Sequence, residues 1–388
     1  MGLTFETVRP DALDARVAEA WRAVLADDAR LAGPFFTPEY ATAAGRWAPG
    51  AAVAVARRRG AVAALLPFQA RGRRLFPLGA PLTDYHGLIA APGESVSLGD
   101  VLRGMGAAEY RATAWAGDGA EMAAPVARRR MVADLSKGFE AWRAGRASVV
   151  KDKLRRGRAL ARDHGEPRFT LDDGDPAAFD WLLARKRAQY AESAQHDVFA
   201  CGWTERLLRD LLARRGEPLA ASIATLRVGA RIVAAELSVS AGGVRHLWFP
   251  AYARAFSRYS PGTLLLIEQI RAAAERGEAA VDFGPDVEGY KSDFADPGAV
   301  VLEGDLRAAG PAPAPALSGT LRRLALKARR RHGVIRACEA DRWRAAGAAF
   351  DSLAALARGR LDRAGASVGV GSVYAAEFSR PLLWAAPF

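Results

Sequence analysis

Residues 219–250 read LAASIATLRVGARIVAAELSVSAGGVRHLWFP. Three apolar runs, Leu219–Arg227, Arg231–Ser240 and Val244–Pro250, are separated by Val228-Gly229 and Gly242-Gly243. Short glycine breaks between such runs predict three antiparallel strands joined by tight turns. C-terminal to them, Gly262–Arg276 has the apolar pattern of a helix, Ala280–Phe283 that of a short strand, and a last strand is expected near Ala299–Glu303. Three strands, a helix and two more strands form an α/β unit with a mainly antiparallel meander.

The same grammar appears upstream. An amphipathic helix is expected over Asp14–Asp28, with Val17, Ala20, Trp21, Val24 and Leu25 on one face. Strands follow at Ala51–Ala56, Ala61–Gln69 and Arg73–Leu78, then the loop PLTDYHG (Pro81–Gly87). A helix at Leu98–Gly104 and strands at Ala108–Ala114 and Arg130–Asp134 complete a first α/β unit, residues 1–138. A long basic helix over Phe139–Arg162 and helices at Pro176–Glu192 and Thr204–Arg215 lead into the meander, giving a second unit, 139–305. Residues 306–388 form an extension: a Pro/Ala linker (Pro311–Pro315), then helices at Gly319–Arg331 and Val334–Arg358. No internal repeat is visible in the sequence itself.

The net charge of +12 is concentrated in the extension, where Leu306–Phe388 holds fourteen Arg/Lys against five Asp/Glu. Its densest run, Arg322, Arg323, Lys327, Arg329, Arg330 and Arg331, suits a polyanion such as an anionic membrane surface, a glycan or a cyclic dinucleotide. Two cysteines, Cys201 and Cys338, are too few for a disulfide framework or a cysteine-only metal site. No signal peptide or apolar span of about 18 residues is recognisable, so the expected location is the cytoplasm, peripheral to the inner membrane if the tail engages it.

The segment from Trp248 to Lys291 is the richest in chemistry. It contains Trp248-Phe249-Pro250-Ala251-Tyr252, Tyr259-Ser260-Pro261-Gly262, Asp282-Phe283-Gly284 and Tyr290-Lys291. Ser260 is a good helix N-cap and Pro261 suits a first turn, so the following N–H groups point towards an anion site. Asp282, at a strand end, is a general-base candidate or an ion-pair partner, and Lys291 a phosphate or carboxylate ligand. Tyr290 is a proton donor or a packing residue. Trp248 and Tyr252 suit the wall of a sugar or acyl pocket, or the core. Glu236 interrupts an apolar strand and shares a face with Ala234 and Ser238, which makes it a second base candidate. Asp84 and Tyr85, with His86, line an acceptor groove or form a hydrogen-bonded turn. The histidines have no metal-ligand spacing and no G-x-S-x-G elbow is present, so neither a metal site nor a hydrolase triad is expected.

The ordered set W-x-P-x-Y, Y-S-P-G, D-F-G and Y-K-x-x-F, ending at Phe294, resembles the C-terminal half of FemAB-like proteins of the GNAT superfamily, of the CelD/BcsL cellulose-biosynthesis type. Phe35-Phe36-x-Pro38-x-Tyr40, Asp84-Tyr85-x-Gly87 and Lys186-x-x-Gln189-Tyr190 are similar to other signatures of that family. The resemblance covers about Phe35 to Gly304. It implies an α/β fold of tandem GNAT-like (acyl-CoA N-acyltransferase) domains with mainly antiparallel mixed sheets, followed by a helical basic C-terminal extension. It further implies acetyl-CoA as acyl donor, its pyrophosphate at Ser260, Gly262 and Thr263. The acceptor is then an amino group on a sugar or polysaccharide precursor. The Arg/Gln-x-x-Gly-x-Gly/Ala loop of ordinary GNAT enzymes is missing. Two rivals stand beside this reading: aminoacyl transfer from aminoacyl-tRNA, and a non-catalytic effector binding glycan or cyclic-di-GMP.

Overall fold

The computed structural model describes residues 2–193, 195–214, 216, 218–286, 289–311 and 319–357. The first half consists of β1 (Thr4–Val8), α1 (Ala15–Asp27), α2 (Pro38–Trp47), β2 (Ala51–Arg58), β3 (Ala61–Arg71), β4 (Arg74–Pro77), β5 (Ile89–Ala90), α3 (Leu98–Gly104), β6 (Glu109–Trp115) and β7 (Val126–Asp134). The second consists of α4 (Gly138–Ala144), α5 (Ala147–His164), β8 (Pro167–Thr170), α6 (Pro176–Glu192), α7 (Trp203–Ala213), β9 (Ala220–Val228), β10 (Arg231–Ala241), β11 (Val244–Tyr252), α8 (Pro261–Glu275), β12 (Ala280–Pro285), α9 (Lys291–Phe294) and β13 (Asp296–Arg307). Helices α10 (Gly319–Cys338) and α11 (Arg342–Ala357) follow.

One continuous sheet joins both halves in the order β1-β2-β3-β4-β6-β13-β7-β12-β11-β10-β9-β8, with β5 pairing β3. The repeat hidden in the sequence is plain in this order. Strands β2, β3 and β4 form an antiparallel meander, α3 crosses over, and β6 pairs parallel with β4. Strands β9, β10 and β11, then α8 and β12, repeat the plan. The last strands are exchanged: β13 pairs β6, while β7 pairs β12, and the two lie side by side.

Alternation along the strands supplies two cores, as the pleat requires. On one face Val53, Val55, Leu65, Ala235, Leu237 and Val239 pack against α1, α2, α6 and α7 through Trp21, Tyr40, Leu182 and Leu207. On the other, Ala54, Leu66 and Phe68 meet α3, and Met131, Leu247 and Val281 meet α8 and Trp142 of α4. The buried Trp21 donates its indole N–H to Phe36 O at 2.7 Å, fixing the entry to α2.

Some expectations are corrected. The single helix expected over Phe139–Arg162 is two, because the chain turns at Gly145-Arg146. Strands β1 and β8 were not anticipated; each is short and lies at an end of the sheet, where burial imposes little pattern. Helix α2 was missed although Thr37 caps it and Pro38 opens it. The tail helices divide at 339–341 rather than at 332–333. The linker beyond Pro311 and everything from Arg358 onward lie outside the described residues.

Candidate active site

The parallel pair β11–β12 holds for only three residue pairs, Val244↔Ala280, Arg245↔Val281 and His246↔Asp282. Beyond His246 and Asp282 the strands part, and the β12–β7 register also shifts after Asp282. The wedge between them opens towards the start of α8. The first half repeats this: β4–β6 pairing ends at Leu75↔Tyr110.

A buried polar cluster sits at the apex of the second wedge. His246 Nε2 lies 2.8 Å from Asp84 Oδ2, and its Nδ1 lies 3.6 Å from Asp282 Oδ1. The second distance is that of an ion pair rather than a hydrogen bond, and Nδ1 has no hydrogen-bond partner. Asp282 Oδ1 accepts from Tyr85 Oη at 2.9 Å and Gly284 N at 2.8 Å. Its Oδ2 accepts from Arg130 Nε at 2.9 Å and Nη2 at 2.6 Å. Arg130 also lies over the Tyr85 ring, 4.6 Å from its centre.

These contacts set the charges. Burial opposes the charged form of His246, but the two carboxylates beside it, Asp282 and Asp84, outweigh it, bringing its pKa up to about 8. At neutral pH it is an imidazolium between two carboxylates. Burial alone raises the Asp282 pKa, yet the charge and hydrogen bonds of Arg130 and the charge of His246 hold it well below the usual carboxylate range. Burial lowers Lys291 to about 8 against the opposing charges of Asp286 and Asp84, and its ammonium donates to Pro285 O at 3.2 Å.

Asp84 is also a wall of a cavity of about 50 Å³. Its other walls include Phe76 and Pro77 at the end of β4, and Arg111 and Thr113 on β6. Gly333, Val334 and Ala337 of α10 form its roof. The cavity therefore occupies the first half's wedge, where β4 and β6 have parted. Through Asp84, His246 and Asp282, one polar chain joins this cavity to the second wedge.

Helix α10 is held down specifically. Arg330 meets Glu303 at 2.7 Å and Arg329 meets Asp305 at 2.5 Å. Ala337 O accepts from Gln69 Nε2 and Arg71 Nη2 at 3.1 and 2.8 Å, and Cys338 O from Trp203 Nε1 at 3.0 Å. Gly333 lies flat on Arg111: a Cβ there would come within 3.3 Å of its Nε. Part of the basic run expected to face an external polyanion is thus paired inside the molecule.

The sequence-predicted residues divide. Asp84, Tyr85 and Asp282 come together as described. His86 leaves the cluster: its Nε2 accepts from the Thr113 and Ala114 backbone, and burial drives its pKa down to about 3. Glu236 is buried, and Gln269 of α8 donates to it, Nε2 to Oε2, at 2.9 Å. Burial lifts the Glu236 pKa to about 8, and the charge of His246 is felt there. Glu236 is not among the side chains lining the cavity. Trp248 is core, not pocket wall: it is fully buried, stacks among Phe35, Tyr40 and Phe249, and donates to Leu82 O at 2.7 Å. Tyr252 is half-buried at the end of β11, and Tyr290 packs on Phe294.

The Ser260 expectation is corrected. Ser260 adopts left-handed backbone (φ 54°, ψ 50°) and its side chain does not cap α8. Its hydroxyl accepts instead from Arg156 Nη1 of α5 at 3.2 Å. Thr263 is buried, and its N–H, like that of Leu264, bonds Ser260 O. Gly262 and Arg156 are what this helix end presents.

His246, Arg128, Arg130 and Arg156 were not singled out from sequence. Arg128 and Arg130 carried a legible signal, since alternation in a strand puts both on one face; both are buried, and Arg128 pairs with Asp286 at 2.6 Å.

A meander, a crossover helix and a parallel strand that parts from its neighbour, present twice with exchanged final strands, define a tandem GNAT-like α/β fold. Residues 148–292, containing the second wedge, match the family model described as an acetyltransferase (GNAT) domain. No curated protein matches the sequence at a significant level. Among solved structures, the chain is similar to the C-terminal domain of a lysylphosphatidylglycerol synthetase candidate from Agrobacterium fabrum (14% identity, TM-score 0.47, covering 74% of this chain and 92% of that one). It is likewise similar to a tandem GNAT protein from the clavulanic acid biosynthesis pathway (14%, 0.46, 81% and 100%) and to FemX (10%, 0.45, 78% and 97%). No helix among the described residues is long and apolar enough to cross a membrane.

Proposed function

We propose that the protein moves an acyl group, acetyl in the simplest case, from a coenzyme A thioester in the β11–β12 wedge to an amine held at Asp84. The observation that supports this most is the Asp84–His246–Asp282 chain, which links the cavity of the first half to the wedge of the second. The donor would be a coenzyme A thioester whose phosphates the Gly262 N–H and Arg156 at the start of α8 would hold. The β11 backbone beyond His246, no longer laddered to β12, is placed to polarise the thioester carbonyl.

The acceptor enters as an ammonium, and the Asp84 carboxylate receives it. His246, charged and fixed by Asp282, holds Asp84 in place. Asp282 has both oxygens occupied and a depressed pKa, so it acts as a positioning group rather than the base. Glu236, poised near pH 8, remains the base candidate with the better-matched affinity for a proton. The ammonium would first lose a proton to the base; the neutral amine would then attack the thioester carbon, the C–S bond would break, and a second amine proton would pass to the departing sulfur, so that coenzyme A leaves as the thiol.

We assign the acceptor to the amino sugars or saccharide precursors of envelope or exopolysaccharide synthesis, in keeping with the CelD/BcsL-type resemblance. A buried water needs roughly 10–15 Å³ of such volume, so the cavity as closed takes an amine-bearing head and not a whole sugar. A full acceptor requires α10 to lift.

Calorimetric titration with acetyl-CoA, paired with an amino-sugar acylation assay, tests this. Arg156→Ala is expected to weaken acetyl-CoA binding about tenfold or more, the loss of a charged hydrogen bond. Asp84→Asn is expected to leave that affinity unchanged and lower turnover at least about tenfold through acceptor KM and kcat. Absence of coenzyme A binding, or turnover that needs aminoacyl-tRNA instead, defeats the reading.

A further inference from the structure

The two cysteines of the chain stand far apart in sequence, yet the fold brings them together. Cys201, in the turn before α7, points its thiol at Val198 O at 3.3 Å. Cys338, the last residue of α10, points its thiol at the same oxygen at 3.7 Å. Sharing that one acceptor places the two sulfurs on the same side of the α10–α7 contact. Both are free thiols here. Nothing in the acyl-transfer chemistry uses them.

Their position gives the pair a consequence. Ala337, next to Cys338, lines the cavity roof, and the carbonyls of both residues are anchored by Gln69, Arg71 and Trp203. Cys338 is therefore the point at which the roof helix meets the body of the second half. We propose that Cys201 and Cys338 are a reversible disulfide site that fastens α10 over the cavity. This goes beyond the acyl-transfer reading and stands without it.

The chemistry is thiol–disulfide exchange with a small disulfide such as oxidised glutathione. Cys201 is the partly exposed thiol, and the neighbouring Cys338 lowers its pKa; burial raises that of Cys338. Cys201 thiolate attacks one glutathione sulfur, the S–S bond breaks, and one glutathione leaves as thiolate. Cys338, on losing its proton, attacks the Cys201 sulfur and expels the second glutathione. Two protein thiols give up two protons and two electrons, and the small disulfide takes them. A cross-link closing so long a loop restrains the open chain strongly.

The test treats the full-length reduced protein with oxidised glutathione, then denatures it and counts thiols with a maleimide reagent alongside intact-mass and peptide-mapping measurements. The expected result is loss of both thiols, a mass lower by two hydrogens, and a Cys201–Cys338 cross-linked peptide. Hydrogen exchange of amides 333–338 is expected to slow by about tenfold or more on oxidation. The Cys338→Ala variant, lacking the resolving thiol, is expected to accumulate a glutathione adduct on Cys201. Two thiols still titrating in the treated wild type, a persistent adduct on its Cys201, or an intermolecular dimer overturns the proposal. So does a cross-link that leaves exchange in 333–338 unchanged.

Discussion

Glu236 and His246 show what burial does to a single side chain in this protein. Both keep a proton more tightly in the folded state than in the unfolded chain, for different reasons. Glu236 does so because desolvation penalises its carboxylate; His246 does so because two carboxylates overcome that penalty. The stability that Glu236 contributes is complete below its ordinary pKa of 4.5 and is lost as pH rises towards 8. The corresponding window for His246 runs from 6.5 to about 8. His86, pushed down to about 3 by burial, tilts stability the other way between 3 and 6.5, so a difference measurement is needed. Glu236→Gln keeps an acceptor for Gln269 and removes the titration. Its stability relative to wild type is expected to rise steadily from pH 5 to pH 8, by about 3–4 kcal/mol at 1.36 kcal/mol per unit. Urea unfolding at several pH values measures it; a pH-independent difference removes the buried-acid account. The same titration predicts activity that rises towards pH 8 if Glu236 is the base.

Among elements, α10 matters most, because it roofs the first wedge and so bounds the cavity. Its hold depends on a glycine in a helix interior, a position that ordinarily costs roughly 0.5–1 kcal/mol relative to alanine. Here the missing side chain lets the helix lie on the Arg111 guanidinium, itself tied to Asp305 at 3.0 Å. Gly333→Val puts branched bulk where a single Cβ already comes to 3.3 Å. The expected effect is overpacking of about 1–3 kcal/mol, seen as faster proteolysis of the tail and faster exchange in α10 while the sheet remains protected. Protection of α10 equal to wild type rejects the tight-contact account. The paired parting of β4 from β6 and of β11 from β12 belongs to this scale too. Each wedge follows a crossover that contains a helix, α3 or α8, and makes the strands parallel, and each pairing ends after two or three residue pairs.

For the whole molecule, the exchanged strands decide how the halves work together. Strand β7 of the first half carries Arg130 to Asp282 on β12 of the second. That ion pair is buried on both sides, so removing one member leaves the other's charge undercompensated and out of reach of water. Arg130→Met is expected to destabilise the protein by about 3–5 kcal/mol, and the double variant with Asp282→Asn to regain a large part of it. A denaturant series on the four proteins gives the coupling; additive losses contradict a buried pair. Because the pair spans the halves, unfolding is expected to remain a single transition in wild type.

Much of this was legible in the chain. The second meander was readable because Leu219–Pro250 combines apolar runs with glycine turns, and α8 because its apolar stretch follows Pro261. The edge strands were not, since an edge strand half in solvent carries little pattern. Asp84, Tyr85 and Asp282 stood out as polar residues in informative places. His246 did not, because a lone histidine in a strand says nothing until its neighbours from other strands are known. Trp248 misled, since an aromatic residue has the same letter in a core as on a pocket wall.

The sequence by itself determined the periodicity, and hence which segments are strands and helices, the α/β class and the basic charge of the tail. Those follow from local sterics and from the alternation that burial of one face imposes. The tertiary structure alone decided that the last strands are exchanged and that α10 roofs the first wedge. It also decided that Asp84, His246 and Asp282 form one chain and that Cys201 meets Cys338. Each of these joins residues more than a hundred positions apart or from different elements. Such contacts are chosen by the packing free energy of the whole chain, which no local pattern records.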